Sequence, residues 1–179
     1  MIRDIKEILL TEEQIVGKVK ELATKISEDY RNKDLLVVGI LKGSVMFASD
    51  LIKNITIPCE IDFMAVSSYG SSTETSGVVR ILKDLDHSIE GKDIIIVEDI
   101  IDSGVTLDYL LKYLKTRKAN SIEIITFLTK PSRRKVDIQV KYCGFEVPDE
   151  FLVGYGLDFA EKYRNLPYVG ILKEEVYKN

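Results

Sequence analysis

Three carboxylates and a run of small residues stand within one short stretch, Val97-Glu98-Asp99-Ile100-Ile101-Asp102-Ser103-Gly104-Val105-Thr106-Leu107. Ser103, Gly104 and Thr106 offer backbone N–H groups and hydroxyls where a helix begins, a cradle suited to a phosphate dianion. Gly104 lets the backbone approach such a ligand with no Cβ in the way. Acids beside a phosphate would repel it unless they handle sugar hydroxyls, a metal ion or a proton. A purely structural acid cluster is disfavoured, because burying unpaired carboxylates is costly. Two other phosphate motifs fail. Lys42-Gly43-Ser44 reverses the lysine and glycine of a P-loop, and Gly154-Tyr155-Gly156 has Phe159 where a dinucleotide fingerprint needs its third glycine.

The elements that must position these groups are legible on both sides. Thr11 and Gln14 form a capping-box pattern, and Ile15, Val19, Leu22, Ile26 and Tyr30 make one apolar stripe, predicting a helix from about Thr11 to Tyr30. Leu35 to Leu41 reads as a strand buried on both faces, and Lys42-Gly43-Ser44 opens a helix to about Ile52. A strand is expected over Cys59 to Val66 with Ile61, Phe63 and Ala65 on its apolar side. The polar tract Ser67 to Gly77 follows as a long loop. Further strands are expected at Val78 to Leu82, Asp93 to Val97, Ser121 to Leu128, Val136 to Tyr142, Phe151 to Val153 and Tyr168 to Leu172. Leu107, Leu110, Leu111 and Leu114 mark a helix after the acidic stretch. Alternating strands and helices predict an α/β fold with a mainly parallel central sheet, and ligands in such sheets bind beyond the carboxyl ends of the strands.

Composition narrows the class. A chain of 179 residues, 45% hydrophobic and 30% charged, fits one globular domain spanning residues 1–179. Its 25 basic and 29 acidic side chains give a formal charge of −4, which argues against a nucleic-acid-binding role. The longest apolar run, Leu35 to Leu41, is far short of the about 20 residues that cross a bilayer, so no membrane partner is expected. Met1 to Leu10 carries Arg3, Asp4, Lys6 and Glu7 and does not read as a signal peptide. Cys59 and Cys143 lack a CxxC spacing, and the expected compartment is the cytoplasm. His87 and the Arg133-Arg134-Lys135 run read as solvated turns. Spacing alone makes Lys130 a surface lysine and Phe151 a core aromatic.

The Val97 to Leu107 stretch resembles the phosphoribosyl-pyrophosphate-binding motif of type I phosphoribosyltransferases. Four more segments narrow the resemblance to the hypoxanthine-guanine phosphoribosyltransferases: Leu41-Lys42-Gly43-Ser44, Ser68-Tyr69, Lys130-Pro131 and Pro148 to Asp158. Together they cover nearly the whole chain in the family's order. The resemblance implies a mainly parallel sheet flanked by helices, with a small hood formed by the chain ends. It implies that Glu98 and Asp99 hold the ribose hydroxyls with magnesium nearby, that Asp102 faces purine N7 as general acid or base, and that Ser103, Gly104, Val105 and Thr106 wrap the 5′-phosphate. Some relatives carry lysine at the Val105 position. By the same match Lys130 donates to a purine 6-oxo group, Phe151 stacks on the base, the Leu152 backbone meets its Watson–Crick edge, and Asp158 is a magnesium-associated acid beside the base. Lys42, Gly43 and Arg164 serve pyrophosphate, with a non-proline cis peptide between Leu41 and Lys42, and Ser68 and Tyr69 belong to a lid. The implied reaction joins hypoxanthine, with guanine as a second base, to phosphoribosyl pyrophosphate in a homodimer or homotetramer. Two alternatives share the fold: an RNA-binding regulator of pyrimidine genes, and a sister enzyme preferring xanthine.

Overall fold

A computed structural model describes residues 2–68 and 79–178. In chain order it contains β1 (Ile5–Leu10), α1 (Glu12–Asp29), β2 (Leu35–Leu41), α2 (Val45–Asn54), β3 (Glu60–Ser68), β4 (Val79–Lys83), β5 (Asp93–Ile101), α3 (Val105–Lys115), β6 (Ser121–Thr129), β7 (Tyr142–Glu146), β8 (Leu152–Val153), β9 (Val169–Leu172) and α4 (Glu174–Tyr177). Six strands form one sheet in the order β4-β3-β2-β5-β6-β7, parallel throughout except for the β3–β4 pair. Strands β1, β9 and β8 make a separate antiparallel sheet, so the two ends of the chain build the hood together.

The apolar runs of β2 and β5 follow from helices on both faces of the sheet. Val37, Ile95, Ile125 and Phe127 pack with the stripes of α1 and α2, while Leu36, Val38, Ile94 and Ile96 pack with Leu107, Leu110 and Leu114 of α3. Helix α1 starts as its sequence dictates: the Gln14 N–H donates to Thr11 Oγ1, and Gln14 Oε1 accepts from the Thr11 N–H. The hood is locked to the sheet through aromatic packing. Phe127 lies between Phe47 of α2 and Tyr155 of the hood, with ring centroids 5.2 and 4.9 Å away, and the Tyr155 hydroxyl donates to Asp50 of α2 at 2.8 Å. Each such buried ring contributes about 1.5–3 kcal/mol by burial, so the hood is held as a fixed roof.

Two expected strands differ. The segment from Val136 to Val140 does not join the sheet, because Val136 and Ile138 pack against Gly104, and pairing begins only at Tyr142. In β3 the fully buried residue is Met64 and Ile61 is exposed, since α2 covers β2 and β5 instead of the start of β3. Strand β1 and the one-turn helix α4 have no counterpart in the sequence reading. His87 is exposed, as its polar neighbours suggest. The cysteines are unpaired, and no described helix is long and apolar enough to cross a membrane.

Candidate active site

The sheet order places its topological switch between β2 and β5, because β3 lies on one side of that pair and β6 on the other. Loops leaving adjacent strands diverge at such a point and open a crevice. Here β2 ends in the cis peptide Leu41–Lys42 followed by Gly43, and β5 ends in the acidic stretch. The two loops touch: a Cβ built on Gly43 would lie 1.6 Å from Asp99 Oδ2. A Cβ on Gly156 of the hood would lie 2.0 Å from the Gly43 carbonyl oxygen, and Gly156 has a φ of 102°. Three separate segments are therefore stacked in sequence, the hood on Gly43 and Gly43 on the Asp99 carboxylate, with no room for a side chain at either contact.

Strand β5 continues through Ile101, so Glu98 and Asp99 sit within it. Asp99 Oδ1 accepts the Ile100 N–H at 2.8 Å. Burial, and next the Asp99 charge, push the Glu98 carboxyl well above its ordinary value. Burial likewise pushes Asp99 up to about 6. Two desolvated acids side by side invite a cation or hydroxyl donors to share their charge.

Beyond them the chain turns into α3. Gly104 caps the helix with φ 80°, and a Cβ there would meet Ile138 at 2.8 Å, so conformation and packing both demand glycine. The first N–H groups of α3 have no partner within the helix, which gives the loop its anion-binding character. A cavity of about 150 Å³ lies here, lined by Glu98, Asp102, Ser103, Gly104 and Thr106 among others. Val105 is the first residue of α3, and its N–H is 3.4 Å from Ser103 Oγ.

A second cavity, about 460 Å³, shares Ile100 and Asp102 with the first. It brings together Asp99, Lys130, Phe151, Leu152 and Asp158, which the sequence scatters over some sixty positions. Lys130 follows β6 and is only 6% exposed; its ammonium donates to the Glu150 carbonyl at 2.8 Å and stands 3.9 Å from Asp102 Oδ1 and 3.7 Å from Asp149. Asp102 Oδ1 is buried and accepts no hydrogen bond among the described residues. Phe151 is 37% exposed, a large apolar ring left facing the cavity. Lys130 and Phe151 are thus neither the surface lysine nor the core aromatic that spacing alone suggests.

Two further cationic groups, Lys42 and Arg164, stand outside the lining of these cavities. Lys42 pairs with Glu161 at 2.8 Å, and Arg164 pairs with Asp158 at 2.9 Å and Glu161 at 3.5 Å while donating to the Gly156 carbonyl. Asp158 has both oxygens engaged, the second by the Glu161 N–H. Neither Lys42 nor Arg164 lines the two cavities, although Gly43 beside Lys42 abuts Asp99. Ser68 ends β3 with its backbone paired to Val79, and Tyr69 lies outside the described residues, as does nearly all of the expected lid. Arg133 lies in an exposed turn, as its sequence suggests, and that turn also brings it to the wall of the larger cavity, 3.7 Å from Asp102 and 3.3 Å from Asp149. Tyr177 lines it too. The tight Lys130-Pro131 turn carries Arg133 back toward the cavity, a course that composition does not reveal.

Comparison with known proteins agrees with this geometry. Residues 6–160 match the model of the phosphoribosyl transferase domain. The chain is 56% identical to the hypoxanthine-guanine phosphoribosyltransferase of Bacillus subtilis (strain 168), covering all of this chain and 99% of that protein. It is 58% identical to the protein of the same name from Staphylococcus aureus (strain Mu50), with full coverage of both. A crystal structure of a hypoxanthine phosphoribosyltransferase from Staphylococcus aureus superposes with a TM-score of 0.97 at 57% identity, over 100% of this chain and 97% of that one. A Bacillus anthracis hypoxanthine-guanine phosphoribosyltransferase with HEPES in its active site superposes with a TM-score of 0.91 at 51% identity, over 94% and 99%. The motif order, the switch-point crevice and these likenesses lead to one conclusion: the chain belongs to the phosphoribosyltransferase family, among the hypoxanthine-guanine phosphoribosyltransferases.

Proposed function

We propose that the protein transfers the 5-phosphoribosyl group of phosphoribosyl pyrophosphate to hypoxanthine and guanine, giving IMP or GMP and pyrophosphate. The observation that carries this reading is the position of Asp102. It stands on the wall common to the base-sized cavity and the phosphate cradle, with one buried oxygen that accepts no hydrogen bond among the described residues. In the reaction the purine N9–C1′ bond forms as the bond from C1′ to the pyrophosphate oxygen breaks, and the proton on N7 passes to Asp102. A cation-like ribosyl centre needs no protein nucleophile; orientation and electrostatics suffice. Ser103, Gly104, Val105 and Thr106 hold the 5′-phosphate, and Glu98 and Asp99 hold the ribose hydroxyls. Phe151 stacks on the base, the Leu152 backbone meets its edge, and the buried Lys130 ammonium donates to the 6-oxo group. Lys42, Gly43 and Arg164 receive the pyrophosphate, so Glu161, which pairs with both cations, must yield to it.

The donor set suits magnesium. The acids are hard oxygen ligands, and magnesium is usually held by one or two carboxylates together with substrate phosphates while keeping several waters. Glu98, Asp99 and Asp158 would hold it, and its charge would stabilise the departing pyrophosphate.

Residues 1–179 act as one catalytic unit, since hood and sheet both line the base cavity, and the unit works in the cytoplasm as a homodimer or homotetramer. A monomeric mass by light scattering at micromolar concentration would contradict that assembly. The test of function is a competition assay offering hypoxanthine, guanine, xanthine, adenine and uracil with phosphoribosyl pyrophosphate, with and without magnesium. Magnesium-dependent IMP and GMP formation is expected; preference for xanthine, or binding of phosphoribosyl pyrophosphate with no turnover of any base, would overturn the proposal.

A further inference from the structure

We propose that Tyr177 is a positioning residue for the purine, holding the Phe151 ring in the plane on which the base stacks. The inference rests on the purine-site reading above and extends it to a residue outside the 6–160 stretch that matches the family model. The Tyr177 ring stacks on Phe151 with centroids 4.7 Å apart and planes 23° from parallel, and Phe159 abuts the same ring edge-on at 5.6 Å and 87°. Phe151 nevertheless keeps 37% of its surface exposed and lines the cavity that also holds Asp102 and Lys130, a cavity to which Tyr177 contributes as well.

The backing is itself anchored. Tyr177 ends α4, whose flanking Lys173 N–H donates to the Asp4 carbonyl at 2.9 Å. Val176 and Tyr177 pack against the hood cluster of Val153, Tyr163, Leu166 and Leu172. Without Tyr177, an edge contact from Phe159 is the remaining aromatic support for Phe151. A half-exposed ring so held samples other rotamers, and binding the base must then include the entropy cost of ordering it. Both chain ends thereby serve the base site.

The test compares Tyr177→Ala, Tyr177→Leu and Tyr177→Phe in steady-state kinetics with each substrate varied, together with calorimetric titration of GMP. Alanine should raise KM for hypoxanthine and guanine about three- to tenfold, the range of one aromatic contact, and weaken GMP binding similarly, with KM for phosphoribosyl pyrophosphate within twofold. Leucine fills the space without a flat face and should show the same split, which covers the case that the alanine variant does not fold. Phenylalanine, which keeps the ring, should restore the base KM. An unchanged base KM, equal rises in both KM values, rescue by leucine, or failure of phenylalanine to rescue would each overturn the proposal while leaving the activity of the unmodified protein intact. Failure of the unmodified protein to make IMP or GMP would instead sink the reading on which the inference rests.

Discussion

At Gly43 a single methyl group would reach the chemistry directly. The Cβ of Gly43→Ala would stand 1.6 Å from Asp99 Oδ2 and 2.5 Å from its Cγ, while ordinary contact begins near 3.4 Å, so the carboxylate must retreat by about 1.8 Å. The Gly43 backbone is outside the left-handed region and accepts alanine without strain. What moves is the end of one side chain, which gives up its hydrogen bond from the Ile100 N–H. That costs about 1 kcal/mol, or roughly 2–4 °C of Tm for a domain of this size. The functional cost is larger, because misplacing a positioning group by about 1 Å is worth on the order of 100-fold, equivalent to about 2.7 kcal/mol of transition-state stabilisation. The assay is kcat/KM for IMP formation beside a thermal melt, with Gly17→Ala as the control. Gly17 lies in α1 with nothing within 4 Å of its added Cβ, and alanine there should stabilise the helix by about 1 kcal/mol without changing turnover. A Gly43→Ala protein retaining kcat/KM within threefold would refute the assignment of Asp99 to the sugar. A fall in Tm beyond 10 °C would refute the claim that only the carboxylate moves.

Other perturbations separate the remaining roles. Asp102→Asn should lower turnover by about 10²–10⁴-fold while binding phosphoribosyl pyrophosphate nearly unchanged; unchanged turnover in rapid-quench kinetics would remove Asp102 from proton transfer. Lys130→Met should raise KM for hypoxanthine at least tenfold, roughly the worth of a hydrogen bond to a charged group, and titration with phosphoribosyl pyrophosphate should be unaffected. Asp84 accepts from the Tyr113 hydroxyl and pairs with Arg117; burial opposes ionisation, but these partners outweigh it and hold the carboxyl below its ordinary 3.8. Because the folded value is depressed, its contribution to stability is present above about pH 4 and lost as pH falls through the folded value. The Tm gap between the unmodified protein and Asp84→Asn should therefore shrink between pH 5 and 3, and a constant gap would remove that linkage.

Much of the architecture was legible because it follows local rules. The capping box of α1, the doubly buried runs of β2 and β5 and the glycine at the start of α3 are each dictated within a few residues. The strand expected over Val136 to Tyr142 shows where such rules stop: its β-branched residues cover Gly104 instead of pairing, a choice made by the loop they pack against. Ile61 illustrates the same limit, since alternation marks two faces of a strand but not which face a distant helix covers.

For the site, sequence alone determined the acid-and-glycine stretch, because a phosphate cradle and its neighbouring carboxylates are contiguous in the chain. Tertiary structure decided which side chains share the base cavity. Lys130 and Phe151 look like an ordinary surface lysine and core aromatic until the hood closes over β6, and Arg133 and Tyr177 join them only through the fold. The reason is physical: a phosphate is gripped by successive N–H groups of one turn, whereas a flat base must be enclosed by surfaces from elements far apart in the chain.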